Sequence, residues 1–353
     1  MVSHQSRRLT TLTWGALPLL ALTVLVSLDH VPGTSIDLTV PYAAQGPGPT
    51  IDTLGAVDGK QVVEITGAQA QPTDGHLNMT TVSVRSHMTL AQALGRWLLT
   101  DDTLVPIEQV FPPDKSPEEV TQANTIAFSN SEASATVAAL NHLHRALQVE
   151  VADVLGQSAA EGTLKAGDVI RAVDATPVDR PGQVRDAVAR HQPGEQLALT
   201  IERDGARRDV TVTLGSDPED QTAPLLGILM SSASADGIAV DYNLSDIGGP
   251  SAGLIFSLAV VDKLSPGSVT GGKFVAGTGT IAEDGTVGPI GGIEHKVTAA
   301  QEAGAEVFLS PAANCQAALG GKHDSMTVIK VDTLDSALRS LHDYAEGKQV
   351  PTC

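Results

Sequence analysis

The chain opens on an unbroken apolar run and then settles into short alternating stretches. Leu9 to Leu28 is 20 residues without a charge, preceded by Arg7 and Arg8 and followed by Asp29. At ~1.5 Å per residue, ~20 helical residues cross a hydrocarbon core of ~30 Å. The run predicts a transmembrane helix. Basic residues on its N-terminal side predict a cytoplasmic N-terminus, with everything after Asp29 extracytoplasmic. A cleaved signal peptide would share the basic start, but Asp29-His30-Val31-Pro32 offers no small-x-small cleavage site. Residues 1–32 are therefore expected to form a single-pass anchor in the cell membrane.

Beyond the anchor the pattern is mixed. Strand-like stretches at Val62–Thr66 and Thr80–Val84 are separated by Gly, Pro, Asp and Asn, and helical spacing runs through Leu90–Leu99 and Ser131–Leu147. Residues 33–145 read as an irregular α+β juxtamembrane region. Residues 146–216 are clearer: strands at Val149–Leu155 and after Leu164, a helix from Pro181 to Arg190, and strands Gln196–Glu202 and Arg208–Leu214 around Asp204-Gly205. That dipeptide suits a tight hairpin, because both positions accept φ > 0. From 217 to 345 strands and helices alternate, with helices expected at Ser251–Lys263 and Ile293–Ala303, as in an α/β domain. Residues 346–353 are a short tail.

Charge narrows the functional classes. Asp plus Glu number 41 against 22 Lys plus Arg, a formal charge of −19. Such a surplus repels phosphate backbones and argues against a nucleic-acid partner. No Gly-x-x-x-x-Gly-Lys-Ser/Thr occurs, so the phosphate cradle of an ATPase is missing, and no cofactor is called for. The two cysteines, Cys315 and Cys353, either form one bridge in an oxidising compartment or are two unrelated thiols.

The candidate chemistry sits in two segments. Gly248-Gly249-Pro250-Ser251-Ala252-Gly253 is a tight turn leading into the apolar run Leu254–Val261. Ser251 then stands at a helix N-terminus, where unpaired amides and the positive dipole end face outward. A presented hydroxyl beside N–H donors is what acyl transfer requires; a plain N-cap would look the same. Further on, Pro289-Ile290-Gly291-Gly292-Ile293-Glu294-His295-Lys296 places Lys296 on the first turn of a helix among small and apolar neighbours. Burial there would lower its pKa, and only the neutral amine can take a proton from serine. His295 points about 100° away from Lys296 on a helix, and His142-x-His144 lacks a third ligand for a metal.

Three resemblances bring these pieces together. Leu164-Lys165-Ala166-Gly167-Asp168-Val169-Ile170 and the element order around it resemble a PDZ domain, a fold that binds extended peptides at a sheet edge. The G-L-G-F-like carboxylate-binding loop of that family has no match before Val149. Gly249-Pro250-Ser251-Ala252-Gly253, Thr278-Gly279, Gly285-x-Val287-x-Pro289-Ile290-Gly291-Gly292 and Lys296 resemble the Lon proteolytic domain. That resemblance implies a Ser251–Lys296 dyad, with Thr278 holding the amine and Gly249, Pro250 and Ala252 shaping the nucleophile turn. Two positions depart from the family: Gly248 replaces an acidic residue, and Thr280 replaces the glutamate of Thr-Gly-Glu. Anchor, PDZ and Lon-type domain in this order resemble the membrane-bound PDZ-containing Lon-like proteases of bacteria.

The expectation is thus a multidomain α+β protein with an N-terminal transmembrane helix, a β-rich PDZ-like domain and a C-terminal α/β Lon-type domain. Its expected function is ATP-independent serine endopeptidase. The partners expected are protein or peptide substrates caught by the PDZ domain, the membrane, and by resemblance further copies in a hexamer. A catalytically inactive, membrane-tethered PDZ adaptor is the competing reading.

Overall fold

The computed structural model describes residues 16–18, 22–245 and 247–353. No helix among the described residues is long and apolar enough to cross a membrane, and much of the expected anchor, Leu9–Leu28, lies outside them.

The main sheet corrects the domain organisation expected from the sequence. Its six strands run in the order Thr327–Val331, Val307–Pro311, Phe274–Gly277, His76–Arg85, Tyr42–Asp52 and Thr103–Pro106. Phe274–Gly277 pairs in parallel with both Val307–Pro311 and His76–Arg85, in the register Phe274 to His76 and Gly277 to Met79. Tyr42–Asp52 and Thr103–Pro106 add antiparallel strands. Residues 33–145 are therefore no separate juxtamembrane region, because half of this sheet comes from them. The parallel strand Val307–Pro311 is buried at every residue, as a strand covered on both faces must be.

Helices cover this sheet. Gly253–Leu264 is buried from Gly253 through Lys263, which accounts for its continuous apolar run. It packs against Pro117–His142, a 26-residue helix opened by a Ser116/Glu119 capping box with Pro at its start. Phe256 stacks edge-on against Phe128 at 5.7 Å and lies 4.6 Å from the Tyr242 ring. Ile293–Glu302 packs across Tyr42–Asp52 and His76–Arg85.

The second sheet has a core of its own, built on Val149, Ile170, Leu197, Leu199 and Ile201. Its strand order is Ala206–Thr213, Gln196–Arg203, Val169–Val173, Leu147–Val154 and Ile228–Ser234. Asp204 and Gly205 take φ of 54° and 72° in the hairpin, as their residue types require. Asp168 is buried and ion-paired, its Oδ1 2.6 Å from Arg203 Nε. The boundary placed at 216 is too early, since Ile228–Ser234 pairs antiparallel with Leu147–Val154 and completes this sheet. Its Ser-rich, weakly alternating sequence gave no strand signal. The whole unit is thus inserted between two segments that build the first sheet.

Cys315 and Cys353 are joined by a disulfide with Cα atoms 5.1 Å apart. The tail is also laced to the sheet, with the Lys330 amide donating to Pro351 O and the Cys353 amide to Val328 O.

Candidate active site

The turn before the buried helix is held from two sides. On one side the Pro117–His142 helix grips it: the Gly249 amide donates to Asn124 O at 2.9 Å and Ser131 Oγ donates to Pro250 O at 3.0 Å. Gly249 itself has φ of 87°, a conformation that favours glycine. On the other side, the Gly279 amide and Thr278 Oγ1 both donate to Ser251 O at 2.9 Å, and the Leu254 amide donates to Gly279 O. Ser251 is fixed in place. Among the described residues, the Ser251 and Ala252 amides have no acceptor in the chain. They sit where a helix begins, beside the serine hydroxyl, as an oxyanion would require.

Lys296 comes to this serine from the first turn of its own helix. Its Nζ lies 2.7 Å from Ser251 Oγ, 3.1 Å from Thr278 Oγ1 and 2.9 Å from Thr80 O. The residue is only 3% exposed, and burial lowers its pKa to about 7. No carboxylate pairs with it among the described residues, so nothing offsets the cost of desolvating the ammonium. The three contacts suit the neutral amine well. Its two N–H bonds are taken by Thr80 O and Thr278 Oγ1, leaving the lone pair toward the Ser251 hydroxyl.

A cleft of about 750 Å3 opens over the pair. Its floor is Ser251, Lys296 and the Gly248–Ala252 turn, and its walls include Pro49, Ile51, Met79 and Val82. The sequence brought Ser251, Lys296 and Thr278 to one place, with Gly249, Pro250 and Ala252 in the turn. It missed Thr80 and the wall from residues 49–82. A main-chain carbonyl has no side-chain signature, and no motif tied that segment to the serine. His295 is buried beside Lys296 yet bonds to neither member of the pair, while His142 Nδ1 lies 2.6 Å from Asp335 Oδ1, away from the cleft.

The departures at Gly248 and Thr280 have visible settings. A Cβ at Gly248 would lie 2.9 Å from Asn124 Cβ, so the Pro117–His142 helix leaves no room for an acidic side chain there. Thr280 lines the cleft as a neutral group.

The inserted sheet carries a second candidate surface. Ile228–Ser234 is its edge strand, with helix Pro181–Val188 beside it. The strand is entered through Leu225-Leu226-Gly227-Ile228, where Gly227 has φ of 78° and where the Leu226 and Gly227 amides have no acceptor among the described residues. A glycine-bearing loop with two open amides, absent before Val149, thus lies on the far side in sequence.

Comparison with known proteins matches the two units in part, the PDZ match beginning within the Pro117–His142 helix and ending before Ile228–Ser234. A model of the Lon protease (S16) C-terminal proteolytic domain matches residues 245–342. The chain carries the proteolytic domain of a serine-type peptidase. A PDZ domain model matches residues 125–214. A Lon protease of Roseiflexus castenholzii is 36% identical over 103 residues, 28% of this chain and 13% of that protein. A probable periplasmic serine endoprotease DegP-like of Halomonas elongata is 41% identical over 66 residues, 19% of this chain and 14% of that one. The chain thus spans about a seventh of each of these relatives. The PDZ domain of an SdrC-like protein from Listeria innocua is 23% identical, covering 24% of this chain and 92% of that one with a TM-score of 0.22. The Lon-type domain, as matched by sequence, begins after the inserted PDZ sheet; the fold extends it backward to Tyr42.

Proposed function

We propose that this protein is an ATP-independent, membrane-anchored serine endopeptidase that cleaves envelope or membrane-associated proteins captured by its PDZ domain. The observation that carries the reading is the 2.7 Å contact between the buried Lys296 Nζ and Ser251 Oγ at the floor of the cleft. Ser251 Oγ attacks the scissile carbonyl as the neutral Lys296 amine takes its proton. The tetrahedral oxyanion lies against the Ser251 and Ala252 amides. Lys296 then gives its proton to the leaving amine, and a water repeats the sequence to free the acyl group.

Capture follows from the open edge of Ile228–Ser234, where an extended peptide adds as a further strand and its terminal carboxylate meets the Leu226 and Gly227 amides. The uncharged run Leu9–Leu28 with its flanking Arg7 and Arg8 supports the anchor and an extracytoplasmic Lon-type domain. Assembly into a ring of copies rests on the likeness to Lon proteases.

The test is a serine-directed phosphonate. It should label Ser251 in the full chain, with label and casein cleavage both abolished in Ser251→Ala and circular dichroism unchanged. Cleavage surviving in a folded Ser251→Ala protein would overturn the assignment.

A further inference from the structure

The helix Leu90–Leu99 is turned the wrong way for a protein in water. Its one buried residue is Ala93, while Trp97, Leu98 and Leu99 are 60%, 65% and 84% exposed and Leu90 and Leu94 more than 40%. Leu90, Leu94, Trp97 and Leu98 recur at i, i+4, i+7 and i+8, so they form one stripe on the outward side. A contiguous apolar face of this kind marks a contact surface. The chain holds two tryptophans, Trp14 in the apolar N-terminal run and Trp97 here.

The path of the chain indicates what covers the stripe. Past Leu28 the segment folds into a small turn, with the Leu38 amide on Asp29 O and the Val31 amide on Ile36 O. It then docks directly at the start of this helix: the Val40 amide donates to Met88 O, one residue before the N-cap Thr89. Val40, Ala44, Met88, Ala93 and Leu104 form a small cluster that fixes the helix to the emerging chain. Ile36 on the connecting turn is also exposed. The end of the apolar run and the apolar stripe are thus tethered to one another by a short, bonded segment.

We propose that the Leu90–Leu99 helix lies in the surface of the lipid bilayer, with Leu90, Leu94, Trp97 and Leu98 among the headgroups and upper acyl chains. The proposal rests on the anchor in the proposed function. A stripe of leucines with one tryptophan suits burial ~5–10 Å into the interface, and tryptophan favours that depth. The basic groups near it are few: Arg96 is held by Asp102, and Arg85 and His87 lie on the approach. Attachment is therefore apolar, indifferent to lipid charge and to salt. It also orients the catalytic cleft, because the strand His76–Arg85 that supplies Thr80–Val82 to the cleft leads directly into this helix. Membrane-proximal segments of substrate proteins then meet Ser251 within the reach of one strand.

The full chain carrying Trp14→Phe, reconstituted in phosphatidylcholine vesicles, leaves Trp97 as the sole tryptophan. Lipids brominated near the headgroup should quench its emission at least about twofold more than lipids brominated near the chain ends, the depth expected of an interfacial helix. Leu94→Glu with Leu98→Glu should abolish quenching while the chain still floats with the vesicles. Flotation without quenching of Trp97 overturns this proposal and spares the anchor; failure to float overturns both. Cross-linking from a benzophenone at position 98 to a second copy, with no lipid adduct, overturns it in favour of an interface between copies.

Discussion

The Ser251 site and the edge strand Ile228–Ser234 lie in one chain but are built on opposite principles. Around Ser251 the reacting side chains are held by bonds, with the Ser251 and Ala252 amides left open among the described residues: the Ser251 carbonyl accepts from Thr278 and Gly279, its hydroxyl meets Lys296, and the lysine is completed by Thr80 O. The edge strand instead leaves one side without a backbone partner among the described residues, and none of its residues is fully buried. In the proposed function the difference separates two tasks. Chemistry needs a few atoms held within a fraction of an ångström, and an uncharged amine that only burial provides. Capture of varied sequences needs a backbone ladder with vacant bonds. Changes at the first region should therefore alter turnover, and changes at the second should alter apparent affinity.

Replacing Lys296 is the most severe way to probe the contrast. Lys296→Arg keeps the charge, but a guanidinium does not deprotonate in proteins, so kcat should fall at least about a thousandfold. A Lys296→Arg enzyme within tenfold of the parent would show that the amine is not the base. Thr278→Val removes one of the two acceptors that orient the amine and a donor to Ser251 O. Steady-state kinetics should give about a 10–100-fold loss in kcat with KM little changed. A selective rise in KM would place Thr278 in binding instead.

The PDZ side gives a smaller effect with the opposite signature. Gly227→Val puts a Cβ 2.3 Å from Ser158 Cβ at a φ of 78°, and the loop before the edge strand must shift. KM for a protein substrate should rise roughly 5–10-fold, in line with a lost contact of about 1 kcal/mol, while a short peptide substrate is cleaved as before. Equal loss on both substrates would mean that the two regions are not separable.

How legible this was depends on where the signal lies. Ser251, Thr278 and Lys296 stood out because glycine and proline punctuate the chain beside each of them, and the turn chemistry is local. The hairpin at Asp204-Gly205 was legible for the same reason. The contribution of Tyr42–Arg85 to the main sheet was not. His76–Arg85 meets Phe274–Gly277 across some two hundred residues by parallel pairing, which leaves no turn in the sequence to announce it. Thr80 was found only as part of a strand, since its carbonyl acts irrespective of side chain. Ile228–Ser234 escaped notice because its alternation is weak and its partner, Leu147–Val154, lies on the far side of the insertion.

The central claim is that burial alone keeps the Lys296 amine uncharged near neutral pH. The direct measurement is the pH titration of the Lys296 side chain by 13C NMR in selectively labelled protein, with Lys296→Met used to assign the resonance. The account predicts a midpoint of about 7, with kcat/KM rising through the same range as the base loses its proton. A midpoint above 10, the ordinary lysine value, with activity still present at neutral pH, would contradict it.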